Sequence, residues 1–206
     1  LRFIHVDNLP ISLQRGGIWA PNCEPDDGLV CRAIHNVEVQ QRRRVTRVPC
    51  GPGGNVHDYV AFYFGYLSPM MLNLKTGRVA GYNEGQAPLI YLVSSCQAVA
   101  DSGTEFVFTD GHAVVMYTAW FDNLDNLEEV DWNTVYLRYW SNDTGDMDRQ
   151  RRKQAEFLVR EFCPWSLIYE IAVINQRMKD CVEGIQAKFP EKLRRDVTIK
   201  RDWYYW

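Results

Sequence analysis

The chain has 206 residues, 46% hydrophobic and 13% aromatic, which suits a single domain spanning residues 1–206 with a core of its own. No apolar run is long enough to cross a bilayer, so a soluble protein with no membrane partner is expected. The net charge of −3 speaks by itself against a nucleic-acid binder, although the placement of charge matters more than its total.

In chain order, Arg2 to Val6 reads as a short strand, with Asp7-Asn8 capping a helix that starts at Leu9-Pro10 and stops near Gln14 at Gly16-Gly17. Leu1-Arg2-Phe3-Ile4 leads straight into polar residues and shows no secretory pattern, and a start on Leu1 without methionine implies a trimmed sequence or a leader ahead of it. Residues 20–33 lack periodicity and read as loop. Val37 to Arg47 reads as a polar helix with little to bury, a type of element that often holds a ligand. Cys50-Gly51-Pro52-Gly53-Gly54 is a turn-rich hinge. Tyr59–Leu67, Leu89–Val93 and Phe106–Phe108 read as strands. Asp131–Trp140 has helical spacing, and Ser141–Asp148 is a polar loop. Alternation of Ala155, Phe157 and Val159 allows a strand over 153–159. Tyr169–Ile174 follows as a strand, Arg177–Phe189 as a helix and Val197–Trp203 as a last strand. Interleaving without regular βαβ spacing predicts an α+β fold.

The six cysteines form no CxxC pair and have no zinc-like histidine partner, so free thiols in a reducing, cytoplasmic setting and no metal are expected. Basic residues bunch at Arg42-Arg43-Arg44 with Arg47, at Arg149, Arg151, Arg152 and Lys153, and at Arg194-Arg195. Each run alone reads as a solvated face, yet a small patch suffices to neutralise a few phosphates of single strand. Gly51-x-Gly53-Gly54 lacks the Lys-Ser/Thr of a P-loop and the strand-to-helix setting of a dinucleotide fingerprint. Neither HExxH nor GxSxG occurs. What remains is a pair of polar residues on apolar elements. His5, between Ile4 and Val6, reads on spacing alone as a core histidine. Glu156, within Ala155-Glu156-Phe157-Leu158, is either an edge-strand surface residue or a carboxylate with work to do.

Longer motifs add to this. His5-Val6-Asp7-Asn8-Leu9-Pro10, the run from Gly53-Gly54 through His57-Asp58-Tyr59-Val60 to Phe62-Tyr63-Phe64, Ser68-Pro69-Met70, Thr109-Asp110-Gly111-His112-Ala113 and Gln154-Ala155-Glu156-Phe157-Leu158 resemble, in order, the blocks of the DarT family, toxins of DarT–DarG toxin–antitoxin pairs. Ala61 departs from the pattern, where the family has proline.

The resemblance implies an ADP-ribosyltransferase fold, with central antiparallel and mixed sheets flanked by helices. It implies transfer of ADP-ribose from NAD+ to a base of single-stranded DNA, thymidine N3 ahead of guanosine, by a toxin that blocks replication and is opposed by a DarG-type macrodomain antitoxin. Glu156 matches the catalytic glutamate, which would stabilise positive charge at the ribose C1″ and hold its 2″-hydroxyl. His5, with Asn8, would grip the NAD+ ribose. Tyr63 and Ser68 would line the nicotinamide pocket with Met70 beside the DNA, while Phe62 and Phe64 are core.

The resemblance also implies an arginine in the helix before the Gly-rich hinge, steadying the thymine anion or the NAD+ phosphates; by register Arg43 is the first choice, with Arg44 and Arg47 as alternatives. His112 would either handle the proton or make a structural bond. Residues 141–155 correspond to a substrate-recognition loop, where Trp140 is a base platform or core and Arg149, Arg151 and Arg152 are phosphate contacts. A transferase of the same fold acting on RNA or protein, and a silent NAD+- or nucleic-acid-binding module, are the competing readings.

Overall fold

The computed structural model describes residues 1–206. The elements run β1 (Arg2–His5), α1 (Leu9–Gln14), β2 (Gly17–Trp19), α2 (Val37–Val45), β3 (Tyr59–Tyr63), α3 (Pro69–Lys75), β4 (Leu89–Val93), α4 (Cys96–Asp101), β5 (Phe106–Thr109), β6 (Trp120–Phe121), α5 (Trp132–Val135), α6 (Arg149–Arg152), β7 (Glu156–Arg160), β8 (Phe162–Pro164), β9 (Glu170–Val173), α7 (Gln176–Gln186) and β10 (Asp196–Ile199). One four-stranded sheet has the order β1-β4-β9-β10, with only β9 and β10 parallel; a second, wholly antiparallel, has the order β3-β7-β5-β6. β2 and β8 form a separate antiparallel pair. This is the expected α+β class.

The two sheets meet at the chain's first residue. The Leu1 N–H donates to the Tyr63 carbonyl at 2.7 Å, Tyr63 N–H donates to the Leu1 carbonyl at 2.7 Å, and the Arg2 guanidinium reaches the Ala61 carbonyl at 2.9 Å. β1 of one sheet and β3 of the other are thereby joined edge to edge. Central strands carry the continuous apolar runs: all of β4, and β7 from Glu156 to Val159, are buried. α7 packs Met178, Val182 and Ile185 against the larger core and is capped by Asn175, which accepts from Met178 N–H at 3.0 Å.

Several elements differ from the sequence expectation, each for a physical reason. The 59–67 strand ends at Tyr63, opposite Glu156 where its partner β7 begins, and beyond it Gly65 packs directly on the Val135 backbone where a side chain would collide. The 131–140 helix is one turn long. The carbonyls of Val135 and Leu137, which a continuing helix would use, instead accept from the Lys153 ammonium at 2.6 and 2.9 Å. Ser68-Pro69-Met70 is the cap and first turn of α3, and Ser95 similarly caps α4. Asn8 does not cap α1. Its amide holds the Arg32 backbone, accepting from N–H at 2.7 Å and donating to the carbonyl at 2.9 Å, and so pins the 30–36 loop over β1. All six cysteines are free. No helix is long and apolar enough to cross a membrane.

Candidate active site

Glu156 opens β7, paired with β3 on one side and β5 on the other, with Tyr63 directly opposite it. It is 1% exposed, so the edge-strand surface reading fails. A carboxylate at that depth is costly unless it is partnered. Nη1 of Arg43 donates to both of its oxygens, at 2.7 and 3.0 Å, and Ala113 N–H donates to Oε1 at 3.2 Å. Its own N–H donates to Thr109 Oγ1 at 3.1 Å, and that hydroxyl donates to the Gly111 carbonyl at 2.6 Å. Thr109-Asp110-Gly111-His112-Ala113 is therefore folded around this carboxylate.

Arg43 is the one buried side chain of α2, at 9% exposure. Asn36 caps the helix by accepting from Val39 N–H at 3.1 Å, and its second turn carries Arg43 to Glu156. The polar character of this helix thus has a structural sense: it buries a charge, not a hydrophobic stripe. Among the three candidate arginines only Arg43 meets the carboxylate. Arg44 is exposed on the cleft wall, and Arg47 is exposed away from it.

His112 Nε2 stands 4.0 Å from Glu156 Oε1. Burial pushes the imidazole pKa down; Glu156 pulls it up, while Arg43 and Arg42 push it down again. His112 is consequently neutral at pH 7.

These groups close one end of a cleft of about 530 Å³ walled by β1, α1, the 30–36 loop, α2 and β3, within the range of small-molecule and cofactor sites. Asn8, Tyr63 and Met70 line it. Tyr63 stacks on Phe3 with ring centroids 6.0 Å apart. Burial and the nearby Glu156 push its phenol pKa up, so it is un-ionised. His5 is buried at the end of β1, but the wall there is formed by Ile4 and Asn8. Its Nδ1 accepts from Asp7 N–H at 3.2 Å, while Nε2 has no hydrogen-bond partner.

The remaining candidates lie elsewhere. Ser68 is buried and spends its hydroxyl on the Met71 N–H at 3.2 Å, away from the cleft. Trp140 is buried and donates to the Tyr205 hydroxyl at 2.7 Å, so it is core and not a platform. The basic run before Glu156 is not free to meet phosphate. Arg149 pairs with Asp143 at 2.7 Å and Asp146 at 3.3 Å, Arg151 with Asp110 at 2.8 Å and Asp148 at 2.7 Å, and Arg152 with Asp131 and Asp146. This loop is neutralised from within.

Sequence reasoning gave no role to Arg2, His57 and Arg32, which also line the cleft. Only four buried side-chain polar atoms lack a partner, and two of them, Arg2 Nε and His57 Nδ1, belong to lining residues; a third is His5 Nε2. Such concentration marks a polar ligand site. His57 sat inside a recognisable block and could have been found there, whereas Arg32 is brought in only by the pinned loop. No group of three or more His, Cys, Asp or Glu is arranged to hold a metal ion.

The sequence model of one family, described as "ssDNA thymidine ADP-ribosyltransferase, DarT", matches residues 1–205. A DNA ADP-ribosyl transferase of Thermus sp. strain 2.9 is 42% identical over 201 residues, covering 98% of this chain and 93% of the relative. The structure of Thermus sp. 2.9 DarT with ADP-ribosylated ssDNA superposes with a TM-score of 0.92 at 41% identity, covering 99% of this chain and 94% of that one. The complex of the same enzyme with NAD+ gives a TM-score of 0.88 at 40% identity, covering 99% and 96%.

Proposed function

The chain belongs to the DarT family of ssDNA thymidine ADP-ribosyltransferases, and from that premise we propose that it transfers ADP-ribose from NAD+ to N3 of a thymidine in single-stranded DNA. One observation carries the reading: the buried Glu156, clasped by Arg43, closes a polar cleft with His112 Nε2 4.0 Å from its carboxylate.

In this reading Glu156 works on the ribose. As the nicotinamide–ribose bond opens, positive charge builds at C1″, and a carboxylate fixed in a water-poor site stabilises it without reorganising. The clasp from Arg43 and Ala113 holds that carboxylate in one orientation. Nicotinamide leaves with the electron pair of the broken bond, thymine N3 forms the new bond to C1″, and the N3 proton is lost. His112 is the base at hand, being neutral and beside Glu156. Arg43, always charged, steadies the thymine as it becomes anionic. Tyr63 and the partnerless atoms of Arg2 and His57 bind the donor.

A toxin role and a DarG-type macrodomain partner that removes the modification belong to the same proposal. The test is mass spectrometry of single-stranded oligonucleotides that differ only in thymine and guanine content, after incubation with NAD+. One ADP-ribose gained on thymine-containing strands alone is expected. Gain on guanine strands instead transfers the assignment to guanosine, and no gain on any strand despite NAD+ binding sends it to RNA or protein.

A further inference from the structure

The connection between β5 and β7 is unusually apolar at its surface. Of the twelve large hydrophobic residues that are exposed in the whole chain, six lie in it, between Met116 and Met147. Two of them sit on the turn that carries His112 and Ala113. That turn is stitched by Val115 N–H to the His112 carbonyl and Thr118 N–H to the Val115 carbonyl, both at 3.0 Å. Ala113 N–H binds Glu156 at one end, and at the other Met116 is 100% and Tyr117 70% exposed. Four residues span at most about 14 Å, so Tyr117 stands within a few nucleotides' reach of the carboxylate.

Tyr117 is exposed without being loose. Its hydroxyl donates to Asp148 Oδ1 at 3.2 Å, and the Arg151 guanidinium lies over its ring, 5.2 Å from the centroid. Arg151 is itself fixed by Asp148 and Asp110. The acidic partners that make this arginine unfit for phosphate thus turn it into a backing plate. An aromatic ring held at its tip, backed by a cation and open to solvent is a preorganised stacking surface. Cations suited to phosphates lie across the turn on α2: Arg42, which donates to the Val114 carbonyl at 3.0 Å, and the exposed Arg44.

We propose that Tyr117, backed by Arg151 and flanked by Met116, is the platform on which a base next to the modified one stacks when single-stranded DNA enters the site. This rests on the reading of the acceptor given above.

The experiment places 2-aminopurine at each position flanking a single thymidine and follows its fluorescence on binding, alongside steady-state transfer. The unaltered enzyme is expected to quench the probe at one position. Tyr117→Ala should abolish that quench and raise the oligonucleotide KM about tenfold, leaving NAD+ affinity by calorimetry unchanged. Tyr117→Phe, which keeps the ring, should retain the quench. Full quenching and an unchanged KM in Tyr117→Ala overturn the platform while leaving the acceptor reading intact. Failure of the unaltered enzyme to modify any oligonucleotide overturns both.

Discussion

At the scale of single residues, the site is a problem of burying charge. Glu156 and Arg43 are a nearly dry ion pair, and removing one partner from such a pair commonly costs about 3–5 kcal/mol. Arg43→Ala should therefore lower the chemical denaturation midpoint markedly, and adding Glu156→Gln should recover much of the loss. An unshifted midpoint in Arg43→Ala would mean that the pair does not matter to folding. Glu156→Gln alone keeps the shape and loses the charge, so transfer should fall by roughly a thousandfold while NAD+ still binds. Loss of NAD+ affinity together with the fold would make Glu156 structural.

The histidines set a pH dependence. Burial is the leading cause that pushes His5, His57 and His112 below the ordinary value of 6.5. The folded chain then binds fewer protons than the unfolded one as pH falls past 6.5, so stability declines from there toward pH 5. Thermal melts between pH 8 and 5 read this directly, and a Tm that holds or rises on acidification contradicts it. From sequence, Glu156 reads as either a surface or a working residue. A single-residue pattern cannot report that its strand is central, which is a property of the neighbours β3 and β5.

At the scale of elements, the polar helix over 37–47 was legible, and so were β4, β5 and α7, because each carries its signal within itself. The 131–140 helix was not, since its end is set by a side chain far along the chain. Lys153 is buried, and its ammonium donates to the Tyr66, Val135 and Leu137 carbonyls at 2.8, 2.6 and 2.9 Å, one for each N–H. Burial without a carboxylate partner pushes its pKa down to about 8. Lys153→Met would leave three carbonyls bare and should destabilise the protein by about 2–4 kcal/mol. A melt unchanged by this substitution would show that the clamp is dispensable. The arginines of 149–152 misled for a related reason: a basic run looks like a phosphate surface until the aspartates that fold onto it, from Asp110 to Asp148, are known.

At the scale of the whole molecule, two sheets joined at Leu1 and Tyr63 leave a cleft between β1 and β3, and α2 and the 30–36 loop wall it. The site is assembled from segments about 150 residues apart in sequence, Arg2 to Glu156, which is why spacing alone gave the α+β class but not the cleft. The ordered motif blocks carried the rest, each being a piece of one wall. Because ligand binds only the folded cleft, saturating NAD+ should raise Tm, and about 2.7 kcal/mol of stabilisation is expected at a hundredfold excess over Kd.

The central claim is that thymine N3 is joined to the ribose at this site. The direct measurement compares an oligonucleotide with one thymidine against the same strand carrying N3-methylthymidine, each incubated with the enzyme and NAD+ and then weighed. One ADP-ribose on the first strand and none on the second is the predicted result. Equal labelling of both would contradict it.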